Sequence, residues 1–275
     1  MELEGNMQDS LICDMHVHTH FSCDSDEIIE NYCLAAAQKG VYALCFTEHV
    51  DFNENDDGCG YYNADAFFDE FTKMKEEYKN SVRLLSGLEF SEMHLYSEKS
   101  PAFELFPYDF IMCSIHYWYQ DMFPSRMVKE GIAIETCYEY YWAEVLKAVK
   151  HGNFDCLGHI DFPKRYYKKS VVTQKTLREI CGIMIANDIC LEINTSSLRK
   201  GLAESMPDHD ILAIYSALGG KHVTIGSDAH TSADLSMDYL HAKRLIEHYN
   251  LQEVIFKNRK KCILSDERNF RASPL

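Results

Sequence analysis

The sequence predicts an α/β protein built as a seven-unit β/α barrel, with its chemistry at the C-terminal ends of the strands. Three observations lead there. Short apolar runs alternate with helix-period stretches seven times along the chain. The runs are apolar on both faces, as expected for parallel strands covered on each side by helices. Residues able to bind metal fall just after successive runs: His49, Glu89, His116, His159, and Asp228 with His230. Chance would scatter them, whereas a closed parallel sheet carries its active site at that one end.

The first strand opens at Leu11-Ile12-Cys13 and leads into Asp14-Met15-His16-Val17-His18. Residues two apart in a strand share a face, so His16 and His18 present their imidazoles side by side. In a chain with 13 histidines this pair is a weak motif until other strand ends agree with it. Asp24 lies just beyond, on a loop that can fold back over the same end. Ser25 is the expected N-cap of the first helix, with Asp26 and Glu27 in its first turn, and Lys39-Gly40 ends it.

A buried strand at 42–47 ends at Glu48-His49. A polar loop at 53–60 and a helix at 64–78 follow, then a strand at 82–88 ending at Glu89. Residues 101–107 show no pattern. Residues 109–115 form the fourth strand, before His116. The clearest helix, at 136–151, places Tyr138, Tyr141, Trp142, Val145, Leu146 and Val149 on one face, a core stripe. The fifth strand, at 154–158, ends at His159. A helix at 173–187 leads to the sixth strand, 189–194, and a helix at 208–218 to the seventh, 222–226. After Ser227-Asp228-Ala229-His230 come a last helix at 240–249 and a short tail.

With 275 residues, 46% of them hydrophobic, and no low-complexity linker or internal repeat, residues 1–275 are expected to be a single domain. The acidic, polar residues 1–6 do not read as a secretory signal, and no apolar run reaches the length of a membrane span. A net charge of −16 argues against a nucleic-acid surface. It also obliges any anionic substrate to find a local positive site, which bound metal would supply. The cysteine count of 11 is odd and contains no Cys-x-x-Cys pair, and Cys45, Cys113, Cys156 and Cys190 lie inside apolar runs. These read as free, buried thiols of a reduced cytoplasmic protein.

From His16 to His230 these residues resemble the polymerase-and-histidinol-phosphatase (PHP) family of metal-dependent phosphoesterases. Gly158-His159-Ile160-Asp161-Phe162-Pro163-Lys164-Arg165-Tyr166 and Asn194-Thr195-Ser196-Ser197-Leu198-Arg199-Lys200 look most like the stand-alone histidinol phosphatases. The resemblance implies a distorted seven-stranded barrel holding three divalent metal ions. His16, His18, Glu89 and Asp228 would hold one ion. Glu89 would bridge to a second, held also by His116 and His159. Asp24, His49 and His230 would hold the third. Mixed imidazole and carboxylate donors suit zinc, iron or manganese.

Such a cluster lowers the pKa of a bridging water toward neutrality, giving a hydroxide nucleophile for phosphoryl transfer. Asp228 is the expected proton acceptor, or else a ligand alone. Arg165 and Arg199 follow the fifth and sixth strands, where a guanidinium can clamp phosphate in two-point fashion. On a loop an arginine is more commonly a solvated charge. Glu48 is a candidate to orient His49, and His20 and His94 lie near enough to touch substrate. His151, His209, His222, His241 and His248 read as structural or solvated.

The implied activity is hydrolysis of L-histidinol phosphate, a small-molecule phosphomonoester, in histidine biosynthesis, without nucleic-acid or membrane partners. Another phosphoesterase of the same family, acting on nucleotides or phosphotyrosine, is the alternative. A non-catalytic metal-dependent regulatory domain is a third reading, disfavoured by the full set of ligand-type residues.

Overall fold

The computed structural model describes residues 11–103 and 105–264. The polar opening, residues 1–6, lies outside them. One sheet of nine strands runs in sequential order: β1 (Ile12–Val17), β2 (Val41–Val50), β3 (Arg83–Ser91), β4 (Phe110–Ser114), β5 (Cys156–Leu157), β6 (Cys190–Asn194), β7 (His222–Gly226), β8 (Gln252–Lys257) and β9 (Lys260–Ile263). All neighbours pair in parallel except β8 with β9. The sheet curls until β1 meets β7 at the rim. There Val17 bridges Ala229, the Asp228 amide donates to the His16 carbonyl at 2.8 Å, and the His18 amide donates to the Ala229 carbonyl at 2.9 Å.

Among the described residues, ten α-helices connect or flank the strands: α1 (Ile29–Lys39), α2 (Ala64–Glu77), α3 (Ser100–Phe103), α4 (Pro124–Lys129), α5 (Ile134–His151), α6 (Lys164–Tyr167), α7 (Gln174–Ala186), α8 (Ser196–Arg199), α9 (His209–Ala217) and α10 (Tyr239–His248). The longer ones begin and end for local reasons. Asn63, Thr173 and Asp208 cap α2, α7 and α9 by accepting from the backbone N–H three residues on. Gly40, at φ 68°, closes α1 in the left-handed conformation that favours glycine. Ser25 does not cap α1, whose N-cap is Ile28; its hydroxyl lies near the carbonyls of His18 and His230 instead. On α5, Tyr138, Tyr141, Trp142, Val145 and Val149 are buried as the helical period predicts. Each such side chain contributes roughly 1.5–3 kcal/mol by leaving water.

The largest departure from the expected order of elements lies at the C-terminal end. The tail after α10 is a β-hairpin, so the sheet has nine strands where seven were expected. Its turn is Asn258-Arg259, with φ 48° and 62°, the pattern of a two-residue hairpin. Val254, Ile255 and Phe256 of β8 are fully buried and pack with Met15, Phe110, Met112, Cys156 and Cys190 in an inner core. A second, larger core lies between sheet and helices. Among the described residues of the unassigned stretch at 101–107, residues 101–103 belong to the short α3.

The inner face of the sheet explains how the strands deliver a site. With period two, β2 carries Cys45, Thr47 and His49 upward, and β3 carries Leu85, Gly87 and Glu89. On β6 the sequence is Cys190, Glu192, Asn194; from β7 upward it is Thr224, Gly226, Asp228. Each line starts apolar or small and ends in polar donors. Register sets their height: His49 of β2 stands opposite Glu89 of β3.

Gly226 occupies the tightest point beneath the rim. A Cβ there would overlap the Glu192 carboxylate and lie 2.5 Å from the His16 Cβ. Gly226→Ala is therefore expected to destabilise the fold by about 1–3 kcal/mol through overpacking. Chemical denaturation checks this, and an unchanged midpoint would contradict the packing described.

Candidate metal centre

Glu89 stands at the middle of the rim, 1% exposed, with a ring of imidazoles around it. Its Oε2 lies 3.0 Å from His16 Nε2, 3.3 Å from His18 Nε2 and 3.5 Å from His49 Nδ1. Its Oε1 lies 2.8 Å from His159 Nε2 and 3.4 Å from His116 Nε2. The two oxygens thus face two different groups of donors. Asp228 Oδ1 joins the first group, 3.6 Å from His18 Nε2 and 3.9 Å from His16 Nε2. Farther out, Asp24 Oδ2 is 2.9 Å from His230 Nε2 and 3.7 Å from His49 Nε2. All nine residues expected to bind metal come together, in three adjoining sets.

The donor chemistry fits metal ions. Ligand atoms within each of the sets His16/His18/Asp228, His49/Glu89/His116 and His18/His49/His230 lie within 4.8 Å of one another. His16 Nε2 and His18 Nε2 face each other at 3.0 Å, which leaves room for one proton at most between two lone pairs. Several outward ring nitrogens are already engaged. His16 Nδ1 meets Glu192 at 2.6 Å, His18 Nδ1 meets Ser22 Oγ at 3.3 Å, His116 Nδ1 meets Ser91 Oγ at 3.0 Å, and His230 Nδ1 meets the Asp228 carbonyl at 3.1 Å. That arrangement protonates Nδ1 and turns the Nε2 lone pairs inward, as metal-binding histidines require.

The electrostatics point the same way. Burial works against the charge on Glu89, but His16, His49 and their neighbours outweigh it and hold the carboxyl well below its usual range. Burial likewise disfavours a charged His16, and Glu192, Glu89 and Asp228 reverse that, raising its affinity for a proton well above normal. A site that draws a proton so strongly also draws a metal cation, which competes for the same lone pairs. Three ligand-bearing or adjacent positions at the rim, Glu92, His159 and Asp228, have positive φ, strain of a kind that clusters at functional sites.

Beside this cluster opens a cavity of about 430 Å³. Arg165, Lys200, Asp51, Asp56 and Asp57 line it, with Tyr117, Phe123, Phe162 and Tyr166 also on the wall. Arg165 lies over the Phe162 ring and donates from Nη2 to Asp228 Oδ2 and Ser196 Oγ, both at 2.6 Å; its buried Nε has no partner. Arg199 is set farther back. Its Nη2 donates to the carbonyls of Ser227 and Asp228, Nε lies 3.5 Å from Asp234, and the buried Nη1 has no partner.

The remaining sequence candidates separate cleanly. Glu48 accepts from the Thr19 amide and hydroxyl and from Ser22 Oγ, while Ser22 Oγ accepts from the His49 amide and contacts His18. Glu48 therefore acts on His18 and His49 through Ser22. His94 pairs with Glu144 at 2.9 Å, and His20 is 3.4 Å from Glu70; neither lines the cavity. In the 117–121 run, Tyr117 reaches the cavity, while Trp118 packs on Tyr141 and donates to the Cys137 carbonyl. The acidic wall, Lys200, Glu92 and Glu192 were not anticipated. Glu92 and Glu192 had a visible signal, a carboxylate inside or ending a buried strand, which must find partners.

A curled parallel α/β sheet with imidazole and carboxylate donors converging at its C-terminal strand ends defines a metal-binding α/β protein. The PHP domain matches residues 14–196, two thirds of the chain, and the chain belongs to that family. It is 29% identical to a probable histidinol-phosphatase of Clostridium acetobutylicum over 90% of this chain and 98% of that protein. It is 28% identical to the histidinol-phosphatase of Lactococcus lactis subsp. lactis, over 88% and 92%. The structure is similar to that of the Lactococcus lactis histidinol phosphate phosphatase complexed with zinc, L-histidinol and phosphate. That match has a TM-score of 0.79 and 26% identity, and covers 91% of this chain and 98% of the other.

Proposed function

We propose that this chain is a metal-dependent phosphomonoesterase that hydrolyses L-histidinol phosphate to L-histidinol and phosphate. The observation that carries the reading is Glu89, whose two oxygens face separate imidazole groups beside a cavity lined by both Arg165 and acidic residues. In this reading residues 1–275 act as one domain, and β1–β7 are the distorted seven-stranded barrel of the family. His16, His18, Asp24, His49, Glu89, His116, His159, Asp228 and His230 hold up to three ions of zinc, iron or manganese. When bound, these ions supply Lewis acidity and lower the pKa of a water.

The chain's own groups do the rest. Arg165 holds phosphoryl oxygens; Arg199, expected from the sequence to do the same, does not line the cavity and instead braces the Ser227 and Asp228 carbonyls behind it. Asp228, its outer oxygen held by Arg165 and Ser196, presents Oδ1 to the cluster, where it would either hold a metal ion or accept a proton from the attacking water. Asp51, Asp56 and Asp57 meet the cationic part of the substrate, and the same carboxylates repel the extra phosphates of a nucleoside di- or triphosphate. Among the described residues no helix is long and apolar enough to cross a membrane; we place the enzyme in the cytoplasm, acting on a small molecule.

Phosphate release across a panel of phosphomonoesters, with metal content assayed on the same sample, tests the assignment. A metal-loaded protein that releases no phosphate from any of them would point to the regulatory reading instead.

Arg165→Ala and Arg199→Ala are expected to lower kcat/KM for a phosphomonoester while leaving metal content nearly unchanged. A lost charge-assisted hydrogen bond is worth about 1.5–3 kcal/mol, or roughly 10- to 150-fold. Wild-type kinetics in both would make them structural residues. The structure ranks them: Arg165 lines the cavity, so its loss is expected to be the larger.

A further inference from the structure

We propose that Glu192, which lies outside the ligand set, is a positioning residue for the metal centre. It is fully buried on β6. Its Oε1 accepts the His16 Nδ1 proton at 2.6 Å. Its Oε2 accepts the His159 amide at 2.7 Å and lies 3.3 Å from Asn194 Nδ2, and Asn194 Nδ2 is in turn 3.4 Å from Asp228 Oδ2. One carboxylate thereby reaches ligands from three separate places in the chain: β1, the end of β5, and the end of β7.

Each contact has a definite effect on binding. The bond to Nδ1 fixes the His16 tautomer, so that Nε2 carries a lone pair directed at Glu89 and His18. It also makes that nitrogen a stronger donor. The bond to the amide holds His159 at φ 22°, a backbone geometry rare outside glycine, and so aims its Nε2 at Glu89 Oε1. Gly226, which has no side chain, leaves the space this carboxylate occupies. A carboxylate kept only for packing would not need both oxygens committed to ligand-bearing residues, and an apolar side chain would fill the space at lower desolvation cost.

The inference rests on the metal-centre reading, and the test separates the two. Zinc-loaded wild type, Glu192→Gln, Glu192→Ala and Glu89→Ala are compared by competition with a chromogenic chelator. Turnover is followed by phosphate release, and the thermal unfolding of the chelator-stripped proteins is recorded. Glu192→Ala is expected to weaken zinc retention and lower kcat by roughly 10- to 100-fold with little change in KM. Glu192→Gln keeps an acceptor for His16 Nδ1 and is expected to lose less. The stripped Gln variant is expected to unfold like stripped wild type.

Wild-type zinc retention in both Glu192 variants, with Glu89→Ala impaired, would overturn the inference and leave the metal centre standing. Loss of affinity matched by equal destabilisation of the stripped Gln variant would also overturn it, since the role would then be structural. Unaltered zinc binding in Glu89→Ala would overturn the metal-centre reading itself. Should the Glu192 variants fail to fold, ¹⁵N-histidine spectra of the zinc-loaded wild type decide. His16 protonated at Nδ1 supports the inference, and the Nε2–H tautomer sinks it.

Discussion

Glu89→Ala is expected to abolish phosphate release and to reduce metal content by more than one ion's worth. The reason is geometric: its two oxygens face His16 and His18 on one side and His116 and His159 on the other. In the proposed arrangement, removing it would take a ligand from two ions at once and leave five imidazoles around an uncharged gap. The loss should exceed the roughly 10- to 100-fold that follows deletion of an outer hydrogen-bond partner. Near-normal turnover with full metal content would contradict the bridging arrangement. Asp24→Ala provides the contrast. Its side chain is 48% exposed and pairs with His230 and His49 at the outer edge, so a smaller loss, confined to one ion, is expected.

Metal retention should also follow pH in a definite direction. In the metal-free site, burial lowers the proton affinity of His116, but Glu89 outweighs it and raises the pKa to about 9. His16 and His18 shift upward as well. At neutral pH an incoming ion must displace those protons, so affinity increases as pH rises through the range where they leave.

The second large effect concerns the substrate. kcat/KM for L-histidinol phosphate is expected to exceed that for p-nitrophenyl phosphate or nucleoside monophosphates by at least about a hundredfold. Histidinol phosphate joins a phosphate ester to an ammonium and an imidazole, and the cavity offers Arg165 for the first and Asp51, Asp56 and Asp57 for the others. Asp51 is 5% exposed, and its buried Oδ1 has no partner. A site that commits buried polar groups to a substrate discriminates against analogues that leave them unpaired. Equal or faster turnover of a nucleotide or a phosphotyrosine peptide would move the assignment within the family.

Much of the candidate metal site was readable because strand ends are punctuated: an apolar run stops, and the first residue able to bind metal follows. His49, Glu89, His116 and His159 obey that rule one by one. What escaped was held by other kinds of signal. β8 is only a short apolar run between polar ends, and its hairpin is marked by Asn258-Arg259 rather than by a glycine, so it reads as a tail. Glu192 was hidden in plain view, a carboxylate between Leu191 and Ile193 in a run that otherwise reads as apolar up to Asn194. The acidic wall comes from the loop at 51–57, where charge is the default and position decides everything. Arg165 and Arg199 look alike in sequence; only the fold tells the one at the cavity from the one tied to backbone carbonyls.

The meeting of β1 and β7 at the rim has a consequence for how the chain holds itself together. His16 and His18 come from its beginning, Asp228 and His230 from near its end, roughly two hundred residues later, and closing so long a loop carries an entropic cost. Apart from the Val17–Ala229 bridge and the neighbouring amide bonds, this seam has far less pairing than the ladder between β2 and β3. Ions shared by these residues, as proposed above, would act as a clasp, fastening the first turn of the ring to the last. Part of the free energy of metal binding is then free energy of folding, and chelation loosens the molecule first at the place where its two halves join.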